Sequence, residues 1–270
     1  MALPDPSNES AALVTGASAG IGTSIARELA SRGHNLVIVA RRKKLLDELA
    51  KELGDAHGVR VEPLSCDLSS AAARGRLPSR ISKLGLRVDI LVNNAGFATG
   101  GPFHESEPER EVQQVRVLVE AVVGLTAAYL PEMVERGAGA ILNVSSTAAF
   151  QPLPYSAGYS AAKSHALSFS EAIHEEVAGD GVTVTALCPG PVRTDFWEVA
   201  GDQPIESAVP DIVWVDADEA AKAGVDGLAS GSRVVVPGFP VRAGFTALRW
   251  VPHALKLPIA ERLMRPRGRR

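Results

Sequence analysis

The sequence predicts an α/β fold: one open, doubly wound sheet of seven parallel strands, with helices on both faces. Two observations carry this. Short apolar runs alternate with longer stretches of helical periodicity along most of the 270 residues. The apolar runs are nearly continuous Val, Ile and Leu, so both faces of each strand are buried, as in parallel sheets. No internal repeat or long low-complexity segment divides the chain, which reads as a single domain over 11–238 with extensions at 1–10 and 239–270.

The first strand is "AALVT" (11–15), followed by a helix over 21–33 with Ile21, Ile25 and Leu29 spaced four apart and Gly33 as its cap. "NLVIVA" (35–40) is the second strand, and "KKLLDELAKEL" (43–53) an amphipathic helix. "VRVEPLSC" (59–66) gives the third strand, a polar helix follows, and "VDILVNNAG" (88–96) gives the fourth. A long helix at about 108–136 leads to "AILNVSS" (140–146), then come a helix at about 158–178 and "VTVTALCPG" (182–190). A helix at about 217–229 and the strand "RVVVPG" (233–238) complete a Rossmann-type pattern. The stretch after Phe239 is apolar and basic. Pro240, Pro252 and Pro258 are expected to break any long amphipathic helix there, which favours packing over the site rather than lying on a membrane.

Composition narrows the function. A net charge of −3 gives no global attraction to nucleic acid, and the basic "RPRGRR" at the end reads as a solvated tail. Cys66 and Cys188 each end an apolar run far from the other, so two buried thiols and a reducing, cytoplasmic setting are expected. No metal-ligand spacing, no signal-peptide pattern and no uncharged run long enough to span a bilayer occurs.

"TGASAGIG" (15–22) sits where the first strand turns into the first helix. Gly16 suits a tight turn, and Gly20 and Gly22 suit close approach of a ligand or of the sheet; a pyrophosphate would meet the amides of the helix start. Such turns also serve geometry alone. After the second strand stand Ala40, Arg41 and Arg42, with no carboxylate for ribose hydroxyls. Guanidinium groups match a phosphate, so a 2′-phosphate and NADP(H) are expected. The alternative is a solvated basic helix start, which the helix dipole disfavours.

Tyr159 and Lys163 are four apart and share a helix face, whereas Tyr155, between Pro154 and Gly158, belongs to the preceding loop as lining at the pocket edge. Ser146 ends the fifth strand, where open α/β sheets hold ligands. A lysine ammonium and an oxidised nicotinamide ring would lower the phenol's pKa from its usual value near 10. Tyr159 could then exchange a proton with a substrate oxygen that Ser146 also hydrogen-bonds.

The ordered set "TGASAGIG", "CDLS", "NNAG", "NVSS", "YSAAK" and "PGPVRT" resembles the short-chain dehydrogenase/reductase superfamily over about 11–238. The resemblance implies that Gly16, Ser18, Gly20, Ile21 and Gly22 cradle the pyrophosphate and adenosine ribose. It implies that Asp67 and Leu68 meet the adenine, and that Asn94, Ala95 and Gly96 line the middle of the cofactor. Ser146, Tyr159 and Lys163 would form the catalytic core, with Lys163 also on the nicotinamide ribose. Pro189, Gly190, Val192 and Thr194 would hold the nicotinamide, and Arg41, beside Arg42, the 2′-phosphate.

One position departs. The family's usual asparagine in the long helix falls on Leu118, and no Asn lies between Asn94 and Asn143. Leucine holds no water by hydrogen bonds. Catalysis with another proton path, slow catalysis, or cofactor binding without turnover remain open; Gln114, one turn earlier, is a candidate substitute. The resemblance makes 195–214 a substrate loop, with Phe196, Trp197 and, from the serine side, Phe150 expected to meet an apolar carbonyl or secondary alcohol. Those aromatics would equally serve simple lid packing. Val115, Leu118, Val119, Val122 and Leu125 would serve either a homodimer or homotetramer interface or the core. An NAD-dependent alcohol dehydrogenase and a cofactor-binding protein without turnover are the rival functions.

Overall fold

The computed structural model describes residues 3–192, 214–238 and 252–265. Seven parallel strands lie in one sheet: β1 (Ser10–Thr15), β2 (Leu36–Ala40), β3 (Val61–Ser65), β4 (Arg87–Asn93), β5 (Gly139–Val144), β6 (Val182–Leu187) and β7 (Val234–Val235). Their order is β3-β2-β1-β4-β5-β6-β7. The winding reverses between β1 and β4, and the crevice beyond their carboxyl ends is where such sheets take ligands.

Side-chain alternation builds two cores. Val14, Ile38, Val92 and Leu142 face α1 (Gly20–Ser31), α2 (Lys43–His57) and α8 (Ala217–Ala229), through Ile25, Leu29, Leu46, Leu53 and Val225. Leu13, Val39, Leu91, Ile141 and Val184 face the opposite way. They meet α4 (Leu77–Ser82), α6 (Ala121–Arg136) and α7 (Ala157–Glu176) through Ile81, Leu125, Met133 and Ile173. Between the core layers, Asn93 Nδ2 donates to Asn143 Oδ1 (2.8 Å), and Asn143 Nδ2 donates to Ser170 Oγ (2.8 Å). These buried amides are therefore partnered, as burial requires.

Several expected elements take a different form. The polar helix before β4 is two, α3 (Ala71–Gly75) and α4, because Pro78 starts a new first turn. The first helix ends at Ser31, and Gly33, left-handed at φ +86°, closes it as expected, with its N–H donating to Ala30 O and that of His34 to Leu29 O. The long helix runs from α5 (Pro108–Val115) through a π turn (Arg116–Glu120) into α6. By length and composition Pro108–Arg136 could cross a bilayer. Here its Leu118, Val122, Leu125 and Met133 are buried, so those positions serve the core. Val115 is exposed, with Val112 and Val123 beside it. The C-terminal prolines do not prevent a helix: α9 spans His253–Met264 with Pro258 inside it and Pro252 just before its first turn. At the start of a helix the missing N–H of proline is no loss.

Gly181, which leads into β6, has φ +69°, and a Cβ there would lie 2.0 Å from the carbonyl oxygen of Gly137. Gly137 caps α6. The Gly181→Ala variant therefore meets both left-handed strain and a backbone collision, and a loss of roughly 4 °C or more in Tm is expected by calorimetry. A parental Tm would mean that the two turns do not touch.

Candidate active site

The glycine turn is built against the end of β4. Thr15 Oγ1 donates to Val92 O (3.0 Å) and accepts from the amides of Asn94 (2.9 Å) and Ala95 (3.1 Å). Asn94 Nδ2 donates to Thr15 O (2.9 Å) and Gly16 O (3.3 Å). A Cβ on Gly16 would come within 2.7 Å of Ala95 Cα, and one on Gly22 within 2.3 Å of Asn94 Nδ2. The first turn of α1 has no side-chain cap and no acidic residue, so its amides are open to an anion. These features fit a dinucleotide pyrophosphate.

A cavity of about 480 Å³ runs from this turn along the sheet edge. Gly16, Ser18, Gly20 and Ile21 line one end, with Arg41, Arg42, Asp67 and Leu68 around them. Asn94, Ala95 and Gly96 form its middle; Ser146, Tyr159, Lys163, Pro189, Gly190 and Val192 form the far end. Gly22 does not reach the cavity wall and acts instead where α1 packs on Asn94. Thr194, Phe196, Trp197 and nearly all of 195–214 lie outside the described residues.

The two arginines differ. Arg42 is engaged with Ser18, its Nε and Nη2 reaching Ser18 Oγ at 3.2 and 3.1 Å. Arg41 is exposed, and no hydrogen bond or ion pair holds its guanidinium among the described residues. Burial alone would push the Asp67 carboxyl up, but the Ser69 amide and hydroxyl, with the Arg41 and Arg74 charges, bring it below the usual range.

At the far end, Ser146 precedes a short 3₁₀ turn (Thr147–Phe150), its Oγ accepting from the Ala148 amide (3.1 Å). Ser146 and Tyr159 line the same wall of the cavity, close enough for the serine hydroxyl to pull the phenol downward. Lys163 Nζ donates to Val144 O (2.7 Å) and lies 5.7 Å from the Tyr159 ring centroid, while Ser145 Oγ donates to Lys163 O (2.8 Å). Burial pushes the Tyr159 phenol up to about 12, only partly offset by Ser146. Burial pulls Lys163 down to about 8, against a smaller upward effect of Cys188. The expected lowering of the phenol is thus not a property of the protein alone. Desolvation of the buried phenol dominates, and the Ser146 hydroxyl offsets only part of it.

Leu118 lies at the centre of the π turn, near Lys163. A Cβ on Gly96 would be 2.7 Å from Leu118 Cδ2 and 3.9 Å from Lys163 Nζ. Gln114 is fully buried, and its Nε2 donates to Thr99 Oγ1 (3.0 Å) and Phe97 O (3.3 Å). Its Oε1 has no partner among the described residues and faces Gly158, next to Tyr159. Gln114 therefore joins the loop that walls the cavity to the first turn of α7.

Two sequence expectations are corrected. Phe150 does not line this cavity. The 3₁₀ turn carries it to a separate hollow with Pro152 and Leu257, packed near Leu167 and Cys188. Tyr155 is not cavity lining either: at φ +64° it turns outward, and its hydroxyl donates to Glu261 Oε1 of α9 (2.7 Å). Met264, from the same helix, does line the cavity, as do Phe97, Val117 and Leu153. No motif marks Met264, because its position depends on how α9 docks.

The fold and this cavity define a nucleotide-binding α/β protein with a Ser–Tyr–Lys cluster at the carboxyl edge of its sheet. The family model for short chain dehydrogenases matches residues 10–204, and the chain belongs to that family. Dehydrogenase/reductase SDR family member 4 of Bos taurus is 36% identical over 208 residues, covering 76% of this chain and 73% of that protein. A short-chain dehydrogenase from Sphingobium yanoikuyae, solved in complex with NADPH, is 33% identical with a TM-score of 0.80, covering 97% of this chain and 98% of that one. The bulky-bulky ketone specific alcohol dehydrogenase from Comamonas testosteroni is 27% identical with a TM-score of 0.76, covering 98% of each chain. The chain is thus an oxidoreductase of this family.

The depressed Lys163 gives a pH-dependent test. Below pH 8 the folded protein holds a buried ammonium at a cost in stability. That cost fades as pH rises from 8 toward the unfolded value of 10.5. The Tm of Lys163→Met relative to the parent should therefore be highest near neutral pH and decline across that window. A difference that is constant with pH would contradict a depressed lysine.

Proposed function

We propose that this protein is an NADP(H)-dependent reductase or dehydrogenase acting on an apolar carbonyl or secondary alcohol. The observation that carries the reading is that Ser146, Tyr159 and Lys163 line one end of the cavity together, with Lys163 anchored on Val144 O. NADPH, when bound, supplies the hydride. The substrate oxygen then takes a proton from Tyr159 Oη, leaving a phenolate. Ser146 Oγ donates to the same oxygen as charge develops. Lys163, near pH 8 in its own titration, stabilises the phenolate as an ammonium.

The exposed guanidinium of Arg41, unpaired among the described residues, supports the 2′-phosphate preference, as does the NADPH named for the similar Sphingobium yanoikuyae structure. Phe97, Val117, Leu153 and Met264 support an apolar substrate, in keeping with the bulky-bulky ketones named for the Comamonas testosteroni enzyme. Exposed Val112, Val115 and Val123 support a homodimer or homotetramer through α5 and α6. Two buried free thiols support a cytoplasmic setting. Leu118 favours one second reading, a cofactor-binding protein with weak turnover.

NADPH oxidation followed over a panel of ketones tests the activity. Tyr159→Phe should lower kcat by about a thousandfold while leaving the NADPH affinity within about twofold. Turnover that survived would remove Tyr159 from its role, and a parent inert across the panel would favour the binding-protein reading. Arg41→Ala should weaken NADPH at least about tenfold and leave NADH nearly unchanged. Equal affinities for the two cofactors in the parent would overturn the preference. Leu118→Asn should leave kcat within about threefold if the native proton path is adequate. A large gain would mean that leucine cripples it.

A further inference from the structure

Among the described residues, Tyr155 is the only non-glycine with a positive φ, at +64°. A side chain is strained in that region, and such strain persists only where the surroundings hold it. The Tyr155 carbonyl accepts from the Gly101 amide (2.9 Å), which ties it to the loop after β4. Its hydroxyl donates to Glu261 Oε1 of α9 (2.7 Å). A glycine would adopt the same backbone freely and keep the first bond. The second bond needs the phenol, so the tie to α9 is what the strained side chain adds.

That tie helps to set where α9 lies. Leu257, Glu261 and Met264 follow one another along one face of the helix. Leu257 enters the hollow formed with Phe150, Pro152 and Pro154. One turn on, Glu261 meets Tyr155, and at the next turn Met264 reaches the cavity. Tyr155 is followed by Ser156, which lines the same cavity one turn before Tyr159. This chain of contacts puts Met264 at the end of the cavity where Tyr159 stands, away from the nucleotide end beside Arg41.

We propose that Met264 is a specificity-determining residue for the carbonyl substrate, and that Tyr155 and Glu261 are positioning residues that hold it in the cavity. The proposal rests on the reductase reading above. The group Met264 would meet is an apolar substituent on the carbonyl carbon, since a thioether offers dispersion contact and only a weak acceptor. Its unbranched chain adapts to substituents of different shape while limiting their size. Glu261 also takes two bonds from the exposed Arg265, at 2.8 and 3.0 Å. The arginine favours the ionised carboxylate, and a hydroxyl donating to a carboxylate makes a stronger bond than one between neutral groups.

Steady-state kinetics with acetophenone and benzophenone test the proposal, because the two differ only in a methyl or a phenyl as second substituent. Met264→Ala should raise kcat/KM for benzophenone relative to acetophenone about tenfold, and Met264→Trp should lower that ratio by a similar factor. Tyr155→Phe and Glu261→Ala should each shift the ratio in the same direction as Met264→Ala, mainly through KM. Glu261→Gln, whose amide oxygen still accepts from the phenol, should stay near the parent. Amide hydrogen exchange in α9 should quicken about fivefold or more in Tyr155→Phe, with that of α7 near parental. If Tyr155→Phe fails to fold, the two Glu261 variants carry the comparison. A ratio indifferent to both Met264 substitutions would overturn the proposal and leave the reductase reading intact. A parental ratio with parental α9 exchange in Tyr155→Phe would overturn the positioning role, as would an equal fall in kcat for both ketones. A parent inert with both ketones would overturn the apolar-ketone reading itself, and this proposal with it.

Discussion

Everything at the Ser146–Tyr159–Lys163 end of the cavity depends on how α7 is fastened to the end of β5. Lys163 makes the joint with both its chain and its side chain. Its carbonyl accepts from Ser145 Oγ and its ammonium donates to Val144 O, so one residue bonds to two consecutive positions at the sheet edge. Ser164 Oγ adds a bond to Ala149 O at 2.8 Å. With α7 held there, Tyr159, one turn before Lys163, lines the cavity wall with Ser146. The same fastening encloses the amine and the phenol, and desolvation then sets their protonation: a reluctant acid at Tyr159 and an unusually weak base at Lys163.

The nucleotide end rests on a second joint, where Thr15 and Asn94 tie the glycine turn to the end of β4. Close packing there leaves no room for side chains at Gly16 or Gly22, and the uncapped start of α1 faces the cavity. The two joints sit on neighbouring strands β4 and β5, so one rigid sheet fixes the distance between phosphate cradle and proton donor. Precise placement of reacting groups is where much of a catalyst's advantage arises.

The sequence made the frame readable because the physics there is local. Aliphatic runs marked the inner strands, whereas the edge strand β3 reads VEPLS and is only half-buried, and Tyr159 four residues before Lys163 shares a helix face by periodicity alone. What was not readable depends on contacts distant in the chain. Phe150 follows the serine in sequence, yet a 3₁₀ turn sends it to another hollow. Tyr155 looked like pocket lining until Glu261, 106 residues away, was seen to hold it. Met264 had no motif at all. The apolar positions of α5 and α6 could not be sorted until packing buried Leu118 and exposed Val115. Prolines in α9 suggested a broken segment, but Pro252 precedes the helix and a single lost bond at Pro258 is tolerated. The departure at Leu118 was legible as a difference; its setting against Gly96 beside Lys163 was not.

The central claim is that this cavity carries out hydride transfer to a carbonyl carbon, with Tyr159 supplying the proton to oxygen. The most direct measurement uses NADPH carrying deuterium at both C4 positions of the nicotinamide and an apolar ketone, with the alcohol product examined by mass spectrometry and proton NMR. The account predicts one deuterium on the carbinol carbon and a slower single turnover than with unlabelled NADPH. An alcohol formed without the label, or cofactor bound with no deuterium ever leaving it, would contradict it.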